Sequence, residues 1–356
     1  MINDFKIGNR TIGYNHLPYF IADIGANHDG SIERALKLIE LAKEAGADAA
    51  KFQNFKASKI VSKFGFENLQ GKLSHQSGWK KSVYEVYEDA SISQDWTPVL
   101  KSKCDEVGIE YFTSPYDFES VDHIDPYVNV YKIGSGDITW PEIIRHIGSK
   151  GKPVLIASGA ADMEDVERAM AILQSCNVDI CLMQCNTNYT VDPDKYKYVN
   201  LNVLKTFALK YPDVLLGLSD HTLGAATTAG AVALGARIIE KHFTDDNERT
   251  GPDHKFAMNP VTWRQMVDLS NEIFHSLGDG VKRIEPNEQQ SRIVQQRSLR
   301  AKNKIEKGTV LTAEMFDALR PCPEDAFKPY QADKLHGKVL NRDLQQGEHI
   351  ALNDIL

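Results

Sequence analysis

Cysteine is scarce in this chain, and the spacings that would give it a special role are missing. The five present, Cys104, Cys176, Cys181, Cys185 and Cys322, are an odd number with no C-x-x-C pair. That argues against a disulfide framework, a zinc knuckle or a dithiol redox centre, and predicts reduced packing residues. Also missing is any run of about 18 apolar residues. The N-terminal MINDFKIGNRTIGYNHLPYF has no basic start followed by an apolar stretch, so neither a span nor a secretory signal is expected and the protein is placed in the cytoplasm. Positive charge is not in excess either: 41 Lys and Arg face 49 Asp and Glu, a net charge of −8. Nucleic acid and anionic membrane surfaces are therefore poor candidates for a main partner, and any anionic ligand has to be gripped locally.

What is present is alternation. Eight β-type runs, YFIADIG, AAKFQNF, EYFTSPY, VYKIGSG, PVLIASG, ICLMQCN, LLGLSDH and IIEKHFT, are separated over the first 275 or so residues by mostly helical stretches. In one of these Ile32, Ala35, Leu36, Ile39 and Ala42 trace an apolar face before Gly46 ends it. Strands joined by helix-sized crossovers pair in parallel. An open doubly wound sheet would be expected to carry G-x-G-x-x-G after its first strand, whereas this chain has GANHDG. A (β/α)8 barrel over residues 1–280 is the better fit, with its site at the C-terminal strand ends. A polar segment, 281–296, reads as a linker. Residues 297–356 break into short runs separated by KG, HG and QGE turns, a small mostly-β domain expected to dock on the barrel or on a neighbouring chain.

Residues two apart on a strand share a face, which makes the strand ends readable. Lys51 and Gln53, Ser219 and His221, and Glu240 and His242 form such pairs where a barrel interior normally holds branched apolar residues. His221 and His242 end consecutive strands, close enough for one divalent metal ion to bridge them; the alternative is two hydrogen-bonded core histidines. Lys51 and Lys132 lie in runs that should be buried, so each needs an anion. Two such lysines suit a ligand with separated phosphate and carboxylate groups, or else pair internally with Asp23 or Glu240. Glycines in KIGSGD and LIASGA let the backbone approach a ligand to which Ser135 and Ser158 offer hydroxyls. Asp23, Asp137 and Asp253 are carboxylates at the same strand ends, available for proton transfer or for capping.

With these residues in view, the chain resembles the N-acetylneuraminate (sialic acid) synthase family over nearly its whole length. The motifs are ADIGANHDG, EAGADAAKFQNFKA, FTSPYD, YKIGSGD, LSDHT, EKHFTDDNERTGPDH and, in the C-terminal part, KNKIEKGTVLT and GKVLNRDLQQGEHI. The resemblance implies a TIM barrel followed by an antifreeze-like (SAF, β-clip) domain in a domain-swapped homodimer. It implies manganese on His221 and His242, phosphoenolpyruvate on Lys51, Lys132, Ser135, Ser158, Thr187 and Ser219, and an N-acylated amino sugar on Gln53, Asp137, Tyr189, Asp253 and Arg320 of the partner subunit. Asp23, Asp137 and Lys51 would take the catalytic roles. Where the family usually has Glu, this chain has Asp23 and Asp137; Thr187 stands where better known members carry Asn, and RPCPEDAF lacks the glycine after RP. These departures cluster on the sugar side and leave open a legionaminic or pseudaminic acid synthase using a diacetamido sugar. A metal-dependent hydrolase or isomerase on the same barrel would have little use for the two lysines, and a carbohydrate- or ice-binding protein would leave both lysines and histidines unexplained.

Overall fold

A computed structural model describes residues 4–69, 76 and 79–356. The chain packs as two units, Met1–Leu277 and Gly278–Leu356.

The first unit opens with an antiparallel pair, β1 (Phe5–Ile7) and β2 (Arg10–Ile12), whose Phe5, Ile7 and Ile12 join the main core. Eight parallel strands follow: β3 (Tyr19–Asp23), β4 (Ala49–Asn54), β5 (Glu110–Pro115), β6 (Tyr131–Ile133), β7 (Val154–Ala157), β8 (Ile180–Cys185), β9 (Leu215–Asp220) and β10 (Ala236–His242). Their order is β5-β4-β3-β10-β9-β8-β7-β6, and β5 and β6 lie side by side without a ladder, so the sheet curls into a nearly closed barrel. Each of the eight runs read from the sequence is one of these strands. Helices on the outside and side chains within bury both faces, which is why β10 is buried at every position instead of alternating.

Local chemistry sets the crossovers. Helix α1 (Ile32–Glu44) starts where the Ser31 side chain accepts from the Arg34 amide, buries Ala35, Leu38, Ile39 and Ala42, and ends before Gly46 at φ +94. The β4–β5 crossover is the long one. It holds α2 (Ala57–Ile60), α3 (Lys63–Asn68), α4 (Val83–Ala90) and α5 (Trp96–Val107), and a satellite cluster of Ala57, Val61 and Val83 with Phe66, Trp79 and Tyr87 against it. After β10, the Asn259 cap and Pro260 start the 17-residue helix Pro260–Ser276, whose Trp263 packs on Phe243.

The second unit has a core of its own, with Leu299, Leu311, Phe316, Leu335, Leu340, Leu344 and Ile350 at its centre. Its two-stranded antiparallel sheet, β11 (Ser298–Ala301) with β12 (Phe316–Leu319), is extended by isolated bridges such as Ile305 to Leu344 and Val310 to Val339. The segment read as a linker carries a 3-10 turn, Pro286–Glu288, and a short exposed helix, Gln289–Gln295. No helix among the described residues is long and apolar enough to cross a membrane.

Candidate active site

Strand register assembles the site. His242 pairs with Asp23 and Asp23 with Lys51 across β10, β3 and β4, while one layer deeper Glu240 sits opposite Ser219 and Ser219 opposite Cys185. The outer row becomes a polar chain: Lys51 Nζ lies 2.7 Å from Asp23 Oδ2, Gln53 Nε2 donates to the same oxygen at 3.2 Å, and His242 Nε2 is 3.6 Å away. In the deeper layer Lys132 Nζ stands 3.3 Å from Glu240 Oε1, which also accepts from Ser219 Oγ at 3.1 Å. Both lysines therefore have the internal carboxylate that the sequence left as one alternative.

Burial would push the Asp23 carboxyl up, but Lys51, His242 and Lys132 outweigh it and hold it below its usual value. Lys51 is the mirror image: burial acts to lower it, and Asp23 and Glu240 win, keeping it charged. Asp137 has no such help. Burial pushes its carboxyl up to about 6, with only Lys132 pulling the other way.

These pairs open into a cavity of about 380 Å³, a size suited to a small ligand. Asp23, Lys51, Gln53, Lys132, Ser135, Asp137, Tyr189, Ser219, His221, His242 and Asp253 all line it. Asp253 arrives from the loop after β10, accepting from the Ala26 amide at 3.1 Å and lying 3.5 Å from His242 Nδ1. Gly25, at φ +50, makes room for this meeting, since a Cβ there would stand 2.8 Å from Asp253 Oδ2. Two residues expected at the site do not line the cavity. Ser158 turns its hydroxyl to the Met183 carbonyl at 3.0 Å, and Thr187 packs its methyl over Gly159, where a Cβ would approach to 2.5 Å. Arg320 belongs to the second unit, where it is exposed ahead of a cis-proline.

Other lining residues were not read from the sequence. Ser114 in β5 and Tyr116 just beyond its end are two residues apart, and the same alternation used for Lys51 and Gln53 would have found them in FTSPYD. Tyr116 lies over Gly134, whose missing Cβ would sit 3.1 Å from the phenol oxygen. A further wall comes from the β4–β5 crossover: Phe55, Ile60, Val61, Phe66, Val86 and Tyr87. No spacing rule could have aimed that wall inward, because its placement depends on how α2 to α4 fold back.

The two imidazoles fit a metal ion. Their ring centres are 5.4 Å apart, with Phe256 packed against both. His221 Nδ1 is 2.9 Å from the Asn186 carbonyl, which assigns the proton to Nδ1 and leaves Nε2 as the donor atom. Burial, reinforced by His242, pushes His221 down to about 3, so it is neutral and ligand-competent at any ordinary pH. Glu240 Oε2 and Ser114 Oγ are buried at the cavity without a hydrogen-bond partner, as suits groups that await a ligand. Among the described residues no group of three or more His, Cys, Asp or Glu side chains is arranged to hold one ion; the two imidazoles are the donors the cavity would offer one.

Both parts of the chain have recognisable relatives among known proteins. The sequence model of the NeuB family matches residues 38–282, and that of the SAF domain matches residues 296–356. The chain is 33% identical over 342 residues to N-acetylneuraminate-9-phosphate synthase of Homo sapiens, covering 96% of this chain and 93% of that one. It is 32% identical over 343 residues to N,N'-diacetyllegionaminic acid synthase of Legionella pneumophila, covering 93% and 94%. Among solved structures, an N-acetylneuraminic acid synthetase from Leptospira borgpetersenii in complex with citrate superposes with a TM-score of 0.72 at 27% identity, over 82% of this chain and 95% of that one.

Proposed function

Since the chain belongs to the NeuB family and ends in a SAF domain, we propose that it is a cytoplasmic synthase condensing phosphoenolpyruvate with an N-acetylmannosamine-type aldehyde sugar at a divalent metal, manganese being the first choice. The observation that carries this reading is the meeting of two buried lysine–carboxylate pairs with two imidazoles in one cavity. Burying two ammonium groups costs several kcal/mol each before the Asp23 and Glu240 carboxylates offset it, and a ligand with separated phosphate and carboxylate would give both a further anionic partner.

In the overall reaction the methylene carbon of phosphoenolpyruvate bonds to the aldehyde carbon, the aldehyde oxygen becomes a hydroxyl, water adds at C2, and inorganic phosphate leaves with carbon–oxygen cleavage. His221 and His242 would hold a divalent metal ion, which would supply Lewis acidity. Lys51 and Lys132 grip the anionic groups and stabilise phosphate as it departs, assisted by the Ser135 and Ser219 hydroxyls. Asp23, kept ionised beside Lys51, takes the proton of the adding water at Oδ2. Gln53, Tyr189 and Asp253 hold the sugar, and Asp137 can both hold and release a proton beside it. Arg320 of the partner subunit completes the sugar site in a domain-swapped homodimer.

A second reading concerns the sugar. The apolar wall of Phe55, Ile60, Val61, Phe66, Val86 and Tyr87 favours a substrate with apolar substituents, such as the 2,4-diacetamido-6-deoxy hexoses that lead to legionaminic or pseudaminic acid. Phosphate release from phosphoenolpyruvate with manganese separates the readings. Release with N-acetylmannosamine supports the first and release only with a diacetamido sugar supports the second. No release with any aldehyde overturns both.

A further inference from the structure

Behind the imidazole pair, on the outer side of the barrel wall, two lysines are buried that the chemistry above does not use. Lys241 precedes His242 and by strand alternation points away from the cavity; it is 1% exposed. Its ammonium donates to Asp220 Oδ2 and to the Thr222 carbonyl, both at 2.6 Å. The Asp220 carboxylate also accepts from the Thr222 amide at 3.1 Å and from the Thr222 and Thr227 hydroxyls at 2.7 and 2.6 Å. Lys195, 4% exposed, reaches in from the 3-10 segment Pro193–Tyr198 and donates to the carbonyls of Thr190 and His221.

The arrangement is specific. Residues Asp220, His221 and Thr222 lie where β9 ends and the sheet ladder stops satisfying backbone carbonyls. Two of those carbonyls are taken by ammonium groups from separate chain segments, and ammonium donors make stronger, shorter bonds than neutral ones. A neutral donor would satisfy a carbonyl at far lower desolvation cost. Lys241 pairs with the buried Asp220 carboxylate, whereas the bonds of the Lys195 ammonium go to the two carbonyls. Lys195 also joins two parts of the site: the Thr190 carbonyl follows Tyr189, whose ring centre is 4.3 Å from that of His221.

We infer that Lys195 and Lys241 are positioning residues that hold the backbone at and just after His221, through the His221 and Thr222 carbonyls, and aim the His221 Nε2 at the ion. The inference rests on the reading of His221 as a metal ligand. The test uses the full chain with Lys195→Met, Lys241→Met and, as a control on the same turn, the exposed Lys197→Met. Two quantities are read: the Mn²⁺ dissociation constant from the free-ion electron paramagnetic resonance signal, and the imidazole ¹⁵N resonances of His221. We expect Mn²⁺ binding to weaken by roughly 10- to 100-fold in the first two variants, with a shifted His221 Nδ1 resonance and unchanged far-ultraviolet circular dichroism, and no change in the control. Affinity within twofold of the parent together with an unmoved resonance overturns the proposal. Lys195 sits on a turn, so its variant decides the matter even if Lys241→Met does not fold. If the parent itself binds no Mn²⁺, the metal reading fails, and the Nδ1 resonance alone decides whether the lysines position His221.

Discussion

His221 and Asp137 owe their properties to one cause, burial that disfavours the charged form, which lowers a base and raises an acid. Burial makes His221 a neutral donor, and the Asn186 carbonyl fixes which nitrogen faces the cavity. Replacing it, His221→Ala, should lower Mn²⁺ affinity and metal-dependent turnover by on the order of 100-fold or more; turnover within twofold of the parent would remove His221 from the metal site. Asp137 is destabilised by its own ionisation. With the folded carboxyl raised to about 6 from 3.8, the folded chain holds more proton than the unfolded one between those values, so stability falls as pH rises through the window. Asp137→Asn should therefore be more stable than the parent at pH 7.5, by roughly 1 to 3 kcal/mol, with the difference vanishing below about pH 4, while turnover falls. Urea melts at the two pH values check the sign, and equal stability at both would show that Asp137 is not buried as described. Asp137 was legible from its place after KIGSG. Lys195 was not: in DPDKYKY it looks like one of two solvated lysines, and only the fold of the loop decides which of them is buried.

At the scale of the strand, alternation and register carried most of what could be read in advance. Lys51 and Gln53, Ser219 and His221, and Glu240 and His242 all face the cavity because a period of two is rigid and parallel strands end together. The outward residues between them gave no such signal, since Lys241 in EKH and Asp220 in SDH are buried by covering helices whose contacts no strand pattern encodes. The row His242, Asp23, Lys51 makes a prediction about the three strands it joins. Lys51→Met leaves the Asp23 carboxylate buried without its ammonium and should cost about 3 to 5 kcal/mol. Adding Asp23→Asn in the same chain should recover much of that stability without restoring turnover. Guanidinium denaturation of both variants tests this, and a double variant as unstable as the single one would show that the pair is held by something other than its mutual charge.

For the molecule as a whole, the sequence divided cleanly into a barrel and a small β-rich unit because composition and element length change together near residue 280. It could not say that the small unit would close a core of its own around Leu299, Phe316 and Leu344, since short runs between turns reveal strands but not what they enclose. Nor does a single chain reveal where Arg320 acts. The proposed domain exchange puts His221 of one protomer and Arg320 of the partner subunit in the same site, and that separates two defects onto different chains. Arg320→Ala alone should raise the KM for the sugar with Mn²⁺ affinity unchanged, and His221→Ala alone should be nearly inactive. Unfolding and refolding the two variants together in equal amounts lets half the dimers form as mixed pairs, and each mixed pair holds one site with both defects and one with neither. Turnover at low sugar concentration should then recover to about one quarter of the parent value, by the statistics of a two-fold dimer. If Arg320 instead serves its own barrel, every site keeps one defect whatever its partner, and mixing restores nothing.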